Sequence, residues 1–469
     1  MKLRRQALLS LSNTATSALA LLLVFRLGFQ FAGAEAVGLW AFISGLLIFA
    51  RMTDTGASLA ISRQLVIDRA EGRSDAGSHL WAGLTVASLP TAVIALAISC
   101  AAFVMMGSGE VGQGRLLGPA LLAGLLYAVG NSISGVFAGC LDGCGLMVTR
   151  FGAGIVANLL LIGLALVLVP AEGFDGFLLA HVLYSAAQCL LYALALAVRR
   201  VRLGFHGREY RRVARLCYRF ISQSIVLGAA RAGFEPVSKF LIMQAGGLGA
   251  VAAFDLANRI SAQLRQMVNA PLQPIAVATA RTTSAMDANM RRSVERWMFI
   301  CIGFGFLAAA LQILTAPFVE KFIVLHAGRD FVVMSALLAT AFFVNFAGTV
   351  AYYVIMSSGR ISQLVFVHLA MVVLNVVLGF LAGQVWGALG VVAAWSFVLA
   401  LGGPAVLFLY QASQIMGRNT GALIGAAVVG GGVVLGLSGA AAVEAAPLFH
   451  GLADSFLTAI GQSGPGRHE

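Results

Sequence analysis

The stretch RAGFEPVSKFLIMQAGGLGAVAAFDLANRISAQLR, residues 231–265, decides how the whole chain is read. It belongs to a hairpin, Arg219 to Arg281, whose two apolar segments are long enough to span a bilayer and meet at the turn AGGLG. Yet the hairpin holds Arg231, Glu235, Lys239, Asp255, Arg259 and Arg265. One ionisable side chain near the bilayer centre costs at least ~2.5–3.5 kcal/mol, so this many call for a function. Arg231, Glu235 and Lys239 are spaced i, i+4, i+8, which puts them on one stripe of a helix, and Asp255 and Arg259 are again four apart. Pro236, Pro271 and Pro274 interrupt the helices and free carbonyls that must face protein or water. The pattern predicts a polar, water-accessible cavity inside a membrane protein.

Composition agrees. Of 469 residues, 59% are hydrophobic and 11% charged, which excludes an ordinary soluble domain. Membrane-length apolar runs recur along the chain, and the gaps between them leave no room for a soluble catalytic or receptor domain. The start, MKLRR before a long apolar run, lacks a small-residue cleavage site and reads as a first transmembrane helix. The net charge of +12 is unevenly placed. Alternate loops on one side hold 21 of the 31 Lys and Arg, against three (Arg115, Lys321, Arg329) on the other. That asymmetry places the N-terminus in the cytoplasm and argues against nucleic acid. None of the six cysteines falls in an outer loop, so no disulfide framework is expected.

The expected fold is an all-α polytopic membrane protein of 13–14 spans. Helices 1 to 6 are predicted at about 7–30, 37–60, 79–106, 116–139, 151–169 and 176–198, forming an N-lobe over 1–198. A basic cytoplasmic segment, 199–219, follows with eight Arg and one Glu. Helices 7 to 12, at about 220–243, 249–278, 296–318, 331–357, 363–384 and 387–411, form a C-lobe over 220–412. The extension 413–469 holds a helix at about 420–441 and a short apolar run at 446–460. Self-comparison finds pairs 214 residues apart: Asn131 with Asn345, Gly145 with Gly359, Gly173 with Gly387, Gly176 with Gly390, Ala180 with Ala394, and Arg51 with Arg265. Six helices per half gives two lobes of parallel orientation around a central cavity.

The run GLWAFISGLLIFARMTDTGASLAISR, 38–63, resembles the second helix of the Wzx-type oligosaccharide-lipid flippases through Asp54, Gly56, Ser58, Ala60 and Arg63. GLGAVAAFDLANRI, 247–260, and the GxxG openings at Gly173 and Gly387 are similar to the same family. The resemblance covers roughly 1–412. It implies membership of the multidrug/oligosaccharidyl-lipid/polysaccharide exporter superfamily, alternating access by two rocking lobes, and a polyprenyl-diphosphate-linked oligosaccharide as cargo. The polysaccharide polymerase machinery is then a candidate protein partner.

Six intramembrane cations, Arg26, Arg51, Arg231, Lys239, Arg259 and Arg265, outnumber the carboxylates Asp54, Glu235 and Asp255. Such an excess attracts a diphosphate, whose oxygens match guanidinium forks. Arg231, Arg259 and Arg265 are the leading ligands; Arg26 and Lys239 are also able to snorkel to the interface. Arg51 and Asp54, about one turn apart, read either as a gate or as a surface pair. Asp255 and Glu235 are the ion-coupling candidates, though each has a basic neighbour four residues away that keeps it charged. Asn131, Asn158, Asn345 and Asn375 fit interhelical hydrogen bonding better than sugar binding. His181 with Tyr184 and Gln188, and His368 alone, fit packing better than metal ligation, and no metal or other cofactor is expected. GSGEVG, 107–112, matches a dinucleotide template but sits in an outer loop. The 199–219 segment suits anionic phospholipid headgroups, with Tyr210, Val213, Leu216, Cys217 and Phe220 as an apolar underside.

The favoured reading is therefore a flippase without covalent chemistry, serving O-antigen, exopolysaccharide or capsule synthesis. Its rivals are a cation-coupled multidrug exporter of the same superfamily and a membrane glycosyltransferase or polysaccharide polymerase.

Overall fold

The computed structural model describes residues 2–50, 52–73, 76–106, 111–201, 203–218, 233–269, 288–325, 329–346, 348–357, 361–412, 425 and 427–444. Every regular element among them is helical: α1 Lys2–Leu27, α2 Ala34–Leu46, α3 Met52–Ala70, α4 Ala76–Gly83, α5 Leu89–Met106, α6 Val111–Gly143 and α7 Met147–Val198. The helix at 207–218 is α8. Then come α9 Phe234–Asn269, α10 Ala288–Val319, α11 Arg329–Phe346, α12 Thr349–Ser357 and α13 Ile361–Ala412, followed by α14 at 427–444. Among the described residues, eight helices are long and apolar enough to cross a membrane. The protein is an all-α, multi-pass membrane protein. The short apolar run at 446–460 lies outside the described residues.

The longest helices are paired spans. α7 and α13 have 52 residues each, about 78 Å of helix against a ~30 Å hydrocarbon core. Each breaks at a glycine, Gly173 (φ 57°, ψ −120°) and Gly387 (φ 62°, ψ −146°), in a backbone region that penalises any Cβ. These two residues are 214 apart, and the correspondence extends into their surroundings. A Cβ on Gly173 would lie 3.4 Å from the Phe31 carbonyl, and one on Gly387 would lie 3.5 Å from the Ala245 carbonyl. Phe31 and Ala245 are themselves 214 apart, as are the left-handed Gly33 (φ 87°) and Gly247 (φ 74°) beside them. Three residues beyond each break, a Cβ on Gly176 would sit 2.1 Å from the Leu168 oxygen, and one on Gly390 2.1 Å from the Ala382 oxygen. Gly176→Ala and Gly390→Ala are each expected to cost about 1–3 kcal/mol through forced backbone displacement. Lowered thermal transitions of the purified protein in detergent would check this.

The chain forms two compact units, Met1–Pro236 and Val237–Glu469. In the first, Trp40 packs against Tyr127 and His181, with ring centroids 5.6 and 4.9 Å away. In the second, Trp395 packs against Phe254 at 5.6 Å and Phe342 at 5.8 Å. Trp40 and Phe254 are 214 apart, and so are His181 and Trp395. The repeat thus sets which positions are aromatic in each core as well as where the helices bend.

Two predicted spans are interrupted. The one expected at 37–60 ends as a helix at Leu46, and α3 begins at Met52. Between them the Ile48 and Phe49 amides bond only three residues back, to Gly45 and Leu46. The freed Ala50 carbonyl accepts from the buried Thr91 hydroxyl at 3.0 Å. The span expected at 331–357 likewise divides, at Phe346 and Thr349. There Gly348 approaches the Gly403 backbone so closely that a Cβ would lie 2.5 Å from its oxygen.

The polar residues of apolar helices mostly tie helices together. Asn345 donates to the Leu399 carbonyl at 2.9 Å, Asn375 to Ser238 Oγ at 2.9 Å, and Asn158 to Asn13 at 3.4 Å. Asn131 differs, donating to Tyr127 O within its own helix. His181 Nδ1 lies 2.9 Å from Phe177 O and His368 Nδ1 2.7 Å from Leu364 O, which fixes each ring on its own helix.

Candidate functional site

α9 carries most of the charges singled out by the sequence, and its bend at Gly247 (φ 74°, ψ −178°) decides how they meet. The arm before the bend contributes Glu235 and Lys239; the arm after it contributes Asp255, Arg259 and Arg265. Bending returns the second arm along the first, so residues sixteen apart come together. Lys239 Nζ lies 2.6 Å from Asp255 Oδ1, with both side chains at most 1% exposed. Arg259 Nε donates to Asp255 Oδ2, also at 2.6 Å, from a guanidinium side chain that keeps 34% of its surface exposed. The i, i+4 spacing is the geometry that places a carboxylate over the next turn.

Asp255 is bracketed by two cations, and the accessible part of the group is the Arg259 fork. One helical turn and a half further on, the Arg265 guanidinium lies over the Phe342 ring, 5.2 Å from its centroid. Stacking on an aromatic face fixes the plane of the guanidinium. Phe342 is in turn held by Trp395, and Trp395 by Phe254, the residue before Asp255.

Lys239 is where the expectation needs correction. Read from spacing, it is a free cavity cation or a snorkelling side chain. In the structure it is buried against Asp255, and a desolvated ammonium this deep stands only because a carboxylate meets it. Next to it the buried Ser238 accepts from Asn375. Arg26 is half-buried in the last turn of α1. Glu235 is half-buried in the first turn of α9, where a carboxylate suits the helix dipole. Arg231 and Arg51 lie outside the described residues, and of Asp54 only the backbone, in α3, is described.

A second polar layer escaped the sequence reading. Ser261 Oγ donates to Gln312 Oε1 at 2.9 Å, and Gln312 Nε2 donates to Ser335 Oγ at 3.2 Å, joining α9, α10 and α11 about a turn and a half beyond Asp255. All three are buried. A lone Gln inside LAAALQILTAP was the available signal. Nothing in the sequence marked Phe342.

Solved structures with the same fold give this geometry a context. An inward-facing multidrug resistance MATE family transporter of the MOP superfamily matches with a TM-score of 0.65 and 20% identity, over 87% of this chain and 98% of its own. The lipid II flippase MurJ in an inward closed conformation matches with a TM-score of 0.64 and 11% identity, over 97% of this chain and 99% of that one. A MOP superfamily transporter from Pyrococcus furiosus, described as having a binding pocket of reverse polarity, matches at 0.60 and 17%, over 94% and 95%. No protein-family model and no curated protein matches the chain. At these identities the likeness establishes a MATE/MurJ-like fold.

Proposed function

We propose that this chain is a flippase that moves a polyprenyl-diphosphate-linked oligosaccharide across the bacterial inner membrane by alternating access, for surface polysaccharide synthesis. The carrying observation is the pair of arginines on α9. Arg259 shares the buried Asp255 with Lys239 yet keeps 34% of its side chain exposed, and the stacked Arg265 lies a turn and a half away. Two guanidinium groups on one helical arm suit a diphosphate, each presenting paired donors to phosphate oxygens. Arg231 and Arg26 are further candidate ligands, and Arg51 with Asp54 a candidate gate. The polyprenyl tail stays in lipid while the headgroup is carried, and no bond is made or broken, so the protein is not an enzyme in this reading.

The second reading is a cation-coupled multidrug exporter, favoured by the likeness to the MATE structure. It needs an available carboxylate facing the cargo, whereas Asp255 is enclosed by two cations. Reconstituted vesicles separate the two. The flippase reading expects a fluorescent polyprenyl-diphosphate glycan to become accessible on the opposite leaflet. Movement of cationic dyes alone would favour the exporter. Collapsing the ion gradients in the same vesicles tests coupling through Asp255 or Glu235.

A further inference from the structure

The transport reading makes no use of α8, the basic helix at 207–218, which is fastened to its own unit with unusual thoroughness. Asp68, at the end of α3, is fully buried. It accepts from Arg212 Nη2 at 2.5 Å, Gln64 Nε2 at 3.0 Å and Arg73 Nη2 at 3.2 Å, and His79 Nε2 lies 2.8 Å from it. Burial pushes the Asp68 carboxyl up, but the hydrogen bonds from Arg212 and His79 outweigh it and hold the group below its ordinary value. Glu209 shares Arg212. The His206 amide donates to Ser78 Oγ at 3.0 Å, and Tyr210 Oη donates to Thr85 Oγ1 at 3.1 Å. Val213 and Cys217 are buried in the core formed by Ile61, Cys140, Leu141 and Leu196. Of the apolar underside expected to lie in the membrane, Tyr210, Val213 and Cys217 therefore face protein, Leu216 is exposed, and Phe220 lies outside the described residues.

The opposite face of α8 is its exposed one. At 100° per residue, Arg208, Arg211 and Arg215 form one stripe about 160° round the helix from Val213 and Cys217. All three are exposed and make no ion pair among the described residues. Leu216 (42% exposed) and Tyr218 (67%) flank the stripe, with Phe205 (59%) just before it. Only residues 199–206 separate α8 from the end of the membrane-spanning α7, a tether of at most ~29 Å. Arginines with aromatic neighbours this close to the end of a membrane-spanning helix match a phosphate-bearing bilayer surface, where rings sit at headgroup level.

We propose that α8 is an anionic-lipid-binding surface of the first unit, in which Arg208, Arg211 and Arg215 engage headgroup phosphates while the Asp68 clamp fixes their orientation. The proposal is independent of what the protein carries. Its test is hydrogen–deuterium exchange of residues 203–218 in the full chain, in nanodiscs of phosphatidylcholine alone or with one third phosphatidylglycerol. Exchange should be slowed about tenfold by phosphatidylglycerol, less so at high salt. R208Q/R211Q/R215Q should abolish that difference while Cys217, read by alkylation and mass spectrometry, stays as unreactive as in the parent. Asp68→Asn should expose Cys217 and lose the lipid effect together; if it does not accumulate, Arg212→Lys is read the same way. Equal exchange in both lipids, protection appearing only with a soluble acidic protein fraction, or Cys217 exposure in the triple variant would each overturn the proposal.

Discussion

Replacing Asp255 by asparagine is expected to prevent the folded protein from accumulating. Lys239 and Asp255 are 1% and 0% exposed and 2.6 Å apart, so the substitution takes the carboxylate away from a buried ammonium. Breaking one side of a buried pair typically costs about 3–5 kcal/mol, a large share of the roughly 5–15 kcal/mol that holds a domain together. Arg259 is less affected, because its side chain is one third exposed and reaches water. Removing the second charge should therefore restore the fold: Lys239→Met on the Asp255→Asn background leaves no uncompensated buried ion. The check is the yield and thermal transition of monodisperse protein for the single and double variants. Normal yield of Asp255→Asn with transport abolished would give Asp255 a different role, as a group that releases and takes up a proton during the cycle.

The second large effect is expected at Arg259 and Arg265. Arg259→Gln and Arg265→Gln should each lower translocation of a diphosphate-linked glycan roughly tenfold or more, the size of one lost charged hydrogen bond, while protein yield holds. Arg259→Lys should fall between, since it keeps the charge and loses the two-pronged geometry. Phe342→Leu should act in the same direction as Arg265→Gln but more weakly, because it frees the guanidinium without removing it. Flux of the lipid-linked glycan in vesicles, normalised to protein incorporated, measures all four. Unchanged flux in the Arg259→Gln, Arg265→Gln double variant would remove the ligand role from this arm of α9.

Helical spacing made the membrane spans, the repeat and the Asp255–Arg259 contact legible, because each depends on positions within one helix or on a fixed offset. The 214-residue offset even anticipated the paired breaks at Gly173 and Gly387. What spacing could not give is the pairing of Lys239 with Asp255. The turn AGGLG was legible, but that contact also needs the left-handed Gly247 to set residues eight before and eight after it face to face, and a glycine-rich turn does not fix its own register. The break after Leu46 was hidden for a related reason. No proline or glycine occupies residues 47–50, and the hydroxyl that satisfies Ala50 comes from Thr91, forty-one residues away. The charge of the 199–219 segment was plain, whereas its docking depends on one aspartate, Asp68, that looks like any other loop carboxylate in the sequence.

The measurement that bears most directly on the flippase reading is the polyprenyl-diphosphate-linked glycan pool in cells depleted of this protein, with lectin access to the sugar read from the outer face of the membrane. The reading expects the glycan to accumulate, to remain inaccessible from outside, and surface polysaccharide to be lost. A glycan pool of normal size and normal outer accessibility, together with new sensitivity to cationic drugs, would contradict it and favour the exporter.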